Sequence, residues 1–263
     1  MTLARAALLV ILLPAAAPTA SFHIGDPAPS ERGPAITLRK RIHINTLIAA
    51  PGTMEIEYGG SFSWGGGFAL PMAFHYTPEG HHAWWGRTEF IVGFDSITHD
   101  SATQFGDRST FAATCVIRDG DKLDIALAPQ ASLLLRGDSG ARIGATGIAR
   151  YDAGRTSAGV TFTWTGATHS SPSNPAGVFD LGTGYGFRLK PSGALGHLTP
   201  HVNALYEKAT GAGRQISLFE GVEYQVTEPF AIDFSLQHIA LGGAQPDTQF
   251  VVGITIYTPK LRR

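Results

Sequence analysis

The stretch from Thr53 to Trp64, TMEIEYGGSFSW, alternates strictly between two kinds of side chain. Met54, Ile56, Tyr58, Gly60, Phe62 and Trp64 share one parity; Thr53, Glu55, Glu57, Gly59, Ser61 and Ser63 share the other. A period of two marks a strand with one apolar and one polar face. In a soluble sandwich the apolar face packs a core. In a membrane barrel it meets lipid, and the polar face lines a lumen. Which face looks inward is the question that the rest of the chain must answer.

The same period keeps returning. Phe68, Leu70, Met72, Phe74 and Tyr76 oppose Ala69, Pro71, Ala73 and His75. Trp84, Gly86, Thr88, Phe90, Val92 and Phe94 oppose Trp85, Arg87, Glu89, Ile91 and Gly93. Alternation then recurs around Phe111–Ile117, Ile143–Tyr151, Ala158–Trp164, Phe179–Leu189, Leu198–Tyr206, Ile216–Val226, Phe230–Leu236 and Phe250–Ile256, with Glu220 as an exception. Leu123–Leu135 is less regular, and Pro129 predicts a bulge or broken register there. The segments number about twelve and run to roughly nine to fifteen residues, where a soluble strand has about 5–6. A tilted strand crossing a bilayer needs about 9–11. An even count is also what bacterial outer-membrane barrels have. The fold class predicted is all-β: a closed antiparallel transmembrane β-barrel of about twelve strands over residues 53–258.

The flanks fit export. Arg5, the apolar run AALLVILLPAAAPTA and the small residues up to Ala20 give residues 1–20 the form of a signal peptide. That run is shorter than the roughly 20 apolar residues of a spanning helix. Residues 21–52 read as a periplasmic lead-in or plug carrying a basic run, Arg39, Lys40 and Arg41, which reads as a solvated patch rather than a binding site. Residues 259–263 read as a short tail. The formal net charge is -1 with 16% charged residues, so no basic excess marks a nucleic-acid surface. Cys115 is the single cysteine, which excludes an internal disulfide and a cysteine metal site.

Connections and aromatics bear on orientation. Gaps after odd-numbered segments come to about 3, 11, 5, 9, 6 and 8 residues, and those after even-numbered ones to about 6, 2, 3, 6 and 3, the asymmetry of short periplasmic turns and longer external loops. It predicts the outer membrane of a Gram-negative bacterium, with both termini periplasmic. Trp64, Tyr76, Trp84, Tyr151, Trp164, Tyr206, Tyr224 and Tyr257 fall near segment ends, as girdle aromatics do.

No motif carries catalysis. GDSGA, Gly137–Ala141, has the form of a serine-protease nucleophile motif, but it lies between strands as ordinary turn residues. GTGYGF lacks the helix of a phosphate loop, and the turn with His81 and His82 has no metal-ligand partner at useful spacing. His201 and His238 fall on strands; His238 lies on the apolar parity with no serine marked out beside it. No catalytic residue, metal or cofactor is assigned. What remains is the polar parity itself. Glu55, Glu57, Arg87, Glu89, Asp180, Arg188, Glu223 and Asp233 are the candidate lumen-lining residues, with Arg118, Arg142, Arg150 and Glu207 on the same parity. They either fill the barrel as an ion-pair network or form a polar path, since twelve strands lie between filled eight-strand and open sixteen-strand barrels. Inside a barrel Glu55 and Glu57 need partners, and Arg87 is the first candidate.

APGTMEIEYGG opening the first strand, TPEGHHAWWGRTEFIVGF leading into the third, and GVEYQVTEPFAIDFSLQHIALGG followed by TQFVVGITIYT at the end resemble a family of outer-membrane transporters associated with the meta-pathway of phenol degradation. The likeness runs from about Thr46 to Thr258. It implies a barrel with a transport role and no catalytic residues. The expected function is passive passage of small molecules, aromatic or hydrophobic ones among them. Membrane lipid, a small-molecule solute and the barrel assembly machinery are the expected partners, and nucleic acid is not. The alternatives are a non-transporting structural barrel, an outer-membrane lipid enzyme and a soluble exported all-β binding protein.

Overall fold

A computed structural model of the protein describes residues 48–63, 67–80, 84–99, 103–105, 108–134, 140–171, 174–189, 197–211, 213–227, 229–241 and 248–258. The signal and lead-in up to residue 47, Trp64, His81 and His82, Ser139 and the tail lie outside them.

The described chain is almost entirely strand: β1 (Met54–Ser63), β2 (Phe68–Tyr76), β3 (Thr88–His99), β4 (Thr103–Phe105), β5 (Arg108–Arg118), β6 (Leu123–Leu134), β7 (Gly140–Ala153), β8 (Thr156–Ala167), β9 (Gly177–Phe187), β10 (Leu198–Ala209), β11 (Arg214–Thr227), β12 (Phe230–Leu241) and β13 (Thr248–Tyr257). Each wall strand pairs antiparallel with its neighbours, and β1 pairs with both β2 and β13. The sheet therefore closes into a twelve-stranded barrel. The three-residue β4 pairs with the end of β3 (Ile97↔Phe105) and adds no stave to the wall. Closure leaves no edge, so backbone N–H and C=O groups are satisfied strand to strand, as a spanning structure requires. Wall strands run from 9 residues in β2 to 14 in β7 and β11, the length a tilted crossing needs.

The faces are inverted relative to a soluble sheet. On β1, Glu57 is 3% exposed while Phe62 is 44% exposed. Phe111, Ile143, Phe162, Trp164, Val202 and Phe234 likewise stand on the outer surface. Left in water, such side chains would each forgo about 1.5–3 kcal/mol of burial, which a lipid face supplies. Tyr76, Trp84, Tyr151 and Trp164 are exposed near strand ends, where interfacial aromatics belong. Tyr257 departs from that pattern: it sits opposite Glu55 and shares the inward parity of Gln249, Gly253 and Thr255.

Two sequence expectations are corrected. Pro129 causes no register break. β6 and β7 pair without a shift from Leu123↔Tyr151 to Leu134↔Gly140. Against β5 the ladder passes from Ala112↔Gln130 to Cys115↔Leu127 in one register, and the missing N–H of Pro129 falls in that interval. The β5–β6 irregularity lies instead at Val116/Arg118. Loop length does not orient the barrel either. The connections 77–87 and 188–197 are the longest between wall strands, and both lie at the end that carries the termini.

Ahead of β1 the chain makes a turn. Thr53 N–H and hydroxyl both donate to the Ala50 carbonyl, at 3.0 and 2.6 Å. Pro51 and Gly52 take the corners, Gly52 with φ 80°, the corner where a side chain is disfavoured. Ala50 is exposed, Ala49 is buried, and Ile48 packs on Val116, Ala126 and Ile148, the small apolar core of the inner face.

Candidate functional site

The inner face collects the polar parity of twelve strands, so residues far apart in sequence share one space. Glu55 and Glu57 on β1, His75 on β2 and Glu89 on β3 meet there, each no more than 6% exposed. Register explains the meeting: Glu55 stands opposite His75, and His75 opposite Ile91, two residues from Glu89. His75 Nδ1 lies 3.1 Å from Glu89 Oε2, and its Nε2 lies 3.4 Å from Glu57 Oε2. An imidazole with a carboxylate at each nitrogen can donate to both only as imidazolium. The other Glu89 oxygen accepts the Ala49 N–H at 2.8 Å. Ligand atoms of Glu55, Glu57 and His75 lie within 4.8 Å of one another, so the group is also of the type that coordinates a cation.

Further round the wall, Arg150 on β7 donates from Nε to Asp152 Oδ2 at 2.6 Å, and its Nη2 binds the same oxygen. Asp124, its cross-strand neighbour on β6, is 3.9 Å away. Nearer the end opposite the termini, Arg142 donates to Thr165 Oγ1 (2.9 Å), Asn174 Oδ1 (2.9 Å) and the Pro175 carbonyl (2.8 Å). Beside it a small cavity is lined by Arg108, Thr110, Gln130, Ser132, Arg142 and Thr165. On the other wall His201 Nε2 reaches Ser235 Oγ at 3.1 Å across β11. Gly221 makes that reach possible: a Cβ there would collide with the Phe234 carbonyl, the Ser235 hydroxyl and the His201 ring.

Acids face acids along β9 to β12. Asp180 is directly opposite Glu207, and Glu223 is opposite Asp233. Among the described inward positions, Glu55, Glu57, Glu89, Asp124, Asp152, Asp180, Glu207, Glu223 and Asp233 outnumber Arg108, Arg142 and Arg150. The described inner face is acid-rich.

Six of the eight sequence-named residues, Glu55, Glu57, Glu89, Asp180, Glu223 and Asp233, thus stand on the inner face. Arg87 and Arg188 do not. Arg87 is exposed in the 3-10 turn Trp85–Arg87 before β3. Arg188 is exposed just past β9, where its N–H donates to the Arg155 carbonyl (2.8 Å) and its carbonyl accepts Arg155 Nε (2.9 Å). Both arginines continue the alternation formally beyond the strand, and period alone does not mark where pairing stops. His75 is the β1 partner in place of Arg87; its polar parity was the one available signal. Arg118 is also exposed, at the β5 bulge.

The outer face also carries a polar row. His238 lies 3.2 Å (Nδ1) from Thr248 Oγ1 and 3.6 Å (Nε2) from Glu220 Oε1, so Thr248, His238 and Glu220 satisfy one another on the apolar side. This accounts for the Glu220 exception in the sequence period.

No family model matches the chain, and no curated protein matches it, so the phenol-pathway likeness stands on the quoted motifs alone. Solved structures do match. The KdgM porin in complex with disordered oligogalacturonate superposes with a TM-score of 0.55 at 11% identity, covering 77% of this chain and 98% of that one. The NanC porin superposes with a TM-score of 0.58 at 8% identity, covering 76% and 98%. At such identity the likeness concerns the fold. The chain is folded as a closed twelve-stranded barrel of the porin type.

Proposed function

We propose that the protein is an outer-membrane channel through which small polar solutes pass passively, with cations favoured over anions. The observation that carries this reading is the pairing of an acid-rich inner face with an apolar outer one. Fixed carboxylates in a narrow, low-dielectric passage raise the local concentration of cations and repel anions. The porin-type fold supports the channel reading. The polar inner face favours hydrophilic cargo over the aromatic or hydrophobic cargo that the family resemblance implies. In this reading the barrel sits in a Gram-negative outer membrane, inserted by the assembly machinery, with both termini periplasmic. Reconstitution in planar bilayers under a KCl gradient tests it. Stepwise conductance with a cation-selective reversal potential is expected; anion selectivity, or a sealed barrel passing no solute, contradicts it.

A second reading has one specific observation behind it. The Thr248–His238–Glu220 row sets hydroxyl, imidazole and carboxylate in the order of a hydrolytic triad, on the lipid-facing side. An outer-membrane lipid enzyme predicts phospholipid hydrolysis that His238→Ala abolishes. The channel reading predicts no hydrolysis from either form.

A further inference from the structure

We infer that Glu55, Glu57 and His75 form a binding site for one divalent transition-metal ion of the zinc type, on the inner face near the end that carries the termini. The inference goes beyond the channel reading and does not rest on it. Two neighbouring strands supply the three ligands. Glu55 and Glu57 are two residues apart on β1, so both point to the same face. The β1–β2 register sets His75 directly opposite Glu55. One oxygen from each carboxylate and one ring nitrogen lie within 4.8 Å of one another. Bonds of about 2.0–2.2 Å to a shared ion need only small side-chain rotations from there.

The two sides of the His75 ring are spaced differently, and the difference points to the ion. Nδ1 lies 3.1 Å from Glu89 Oε2, a hydrogen-bond distance, and the other Glu89 oxygen is fixed by the Ala49 N–H at 2.8 Å. Nε2 lies 3.4 Å from Glu57 Oε2, beyond the roughly 2.7–3.2 Å of an N–H···O bond. Two ligands on one tetrahedral zinc, with bonds of about 2.0–2.2 Å, stand about 3.3–3.5 Å apart. Glu89 is then the outer carboxylate that accepts the Nδ1–H, sets the tautomer and turns the Nε2 lone pair toward the ion. The ion takes the place of the proton that an imidazolium would carry on Nε2. It brings two charges rather than one to carboxylates that are no more than 6% exposed, where charge is held by pairing or by a metal. A mixed imidazole and carboxylate set suits zinc and its neighbours, whereas calcium and magnesium take oxygen ligands. Three protein ligands leave the fourth tetrahedral position to water or to a solute oxygen.

Zinc binding by the purified full-length barrel, folded in detergent and stripped with a chelator, tests the site. Metal content after dialysis against zinc chloride gives the stoichiometry, and competition with a chromogenic chelator gives the affinity. About one zinc per chain is expected in the wild type. Glu57→Gln should weaken it by more than about 100-fold, and Glu89→Gln by about 10–100-fold with the stoichiometry kept. His201→Ala, at the other inward imidazole, should leave it unchanged. Cobalt(II) in place of zinc should give the visible absorption of a four-coordinate site, lost in Glu57→Gln and in His75→Ala. Should His75→Ala fail to fold, the two glutamine variants decide the matter, since each keeps the size of the side chain it replaces. A wild type that retains no zinc overturns the inference, as does zinc held equally tightly by Glu57→Gln and Glu89→Gln. Zinc bound at this site by a barrel that passes no ion in planar bilayers supports the inference and sinks the channel reading; conductance without zinc does the reverse.

Discussion

His75 is where the physics of the inner face is most concentrated. It is 1% exposed with Glu57 and Glu89 on either side of its ring. Removing one member of such a buried charged group leaves the others uncompensated, which typically costs about 3–5 kcal/mol. His75→Ala is therefore expected to lower the temperature at which the detergent-folded barrel unfolds on a heat-modifiability gel. His75→Ala combined with Glu57→Gln and Glu89→Gln should recover most of that loss. A single variant as stable as the wild type would show that the imidazole does not hold these carboxylates together. This group was only half legible beforehand. The period put Glu55, Glu57, Glu89 and His75 on one polar face, but which of them touch depends on cross-strand register, and register is not written in any one strand. Arg87 falls on the inward parity of the same period, yet Trp85–Arg87 is a 3-10 turn; alternation of residue types runs on where the strand has not begun.

At the scale of elements, the pairing of β10, β11 and β12 hinges on Gly221. Its missing side chain lets His201 meet Ser235. Gly221→Val should force the two strands apart locally and cost about 1–3 kcal/mol by overpacking; equilibrium unfolding in urea checks it, and a value within experimental scatter of wild type would contradict the close approach. The outer row offers a cleaner contrast. His238→Leu alone leaves the Glu220 carboxylate facing lipid without its partner, at a cost of roughly 1–2 kcal/mol given that both groups are more than a third exposed. Glu220→Leu with His238→Leu should be at least as stable as wild type. If the double variant loses as much as the sum of the singles, the row holds the strands by something other than mutual satisfaction. Strand number, length and facing were readable from sequence because a period of two survives over nine or more residues. The β5–β6 shift at Val116/Arg118 is not, and Pro129, the residue that signals a break, sits in an unshifted ladder. A proline inside a barrel strand needs only that the partner carbonyl find another donor or water, and that condition depends on the neighbouring strand.

At the scale of the whole molecule, the inverted faces were the part most legible in the sequence, since only a barrel in lipid makes long strands with buried glutamates and exposed phenylalanines favourable. Orientation was not. Long connections at 77–87 and 188–197 cancel the expected asymmetry of loop lengths, because loops answer to the solvent and to partners on each side rather than to the period of the wall. Whether the interior conducts is equally out of reach, since a bore is set by how the inward side chains of twelve strands share one space. If carboxylates on β1, β3, β11 and β12 govern passage, Glu223→Gln with Asp233→Gln should reduce cation preference without closing the channel. The most direct measurement is the reversal potential of the purified full-length protein in a planar bilayer with a KCl gradient, taken alongside the variant carrying Glu223→Gln and Asp233→Gln. A cation-selective conductance whose selectivity weakens in the variant is the result this account predicts; anion selectivity, or silence from both proteins at every voltage, would contradict it.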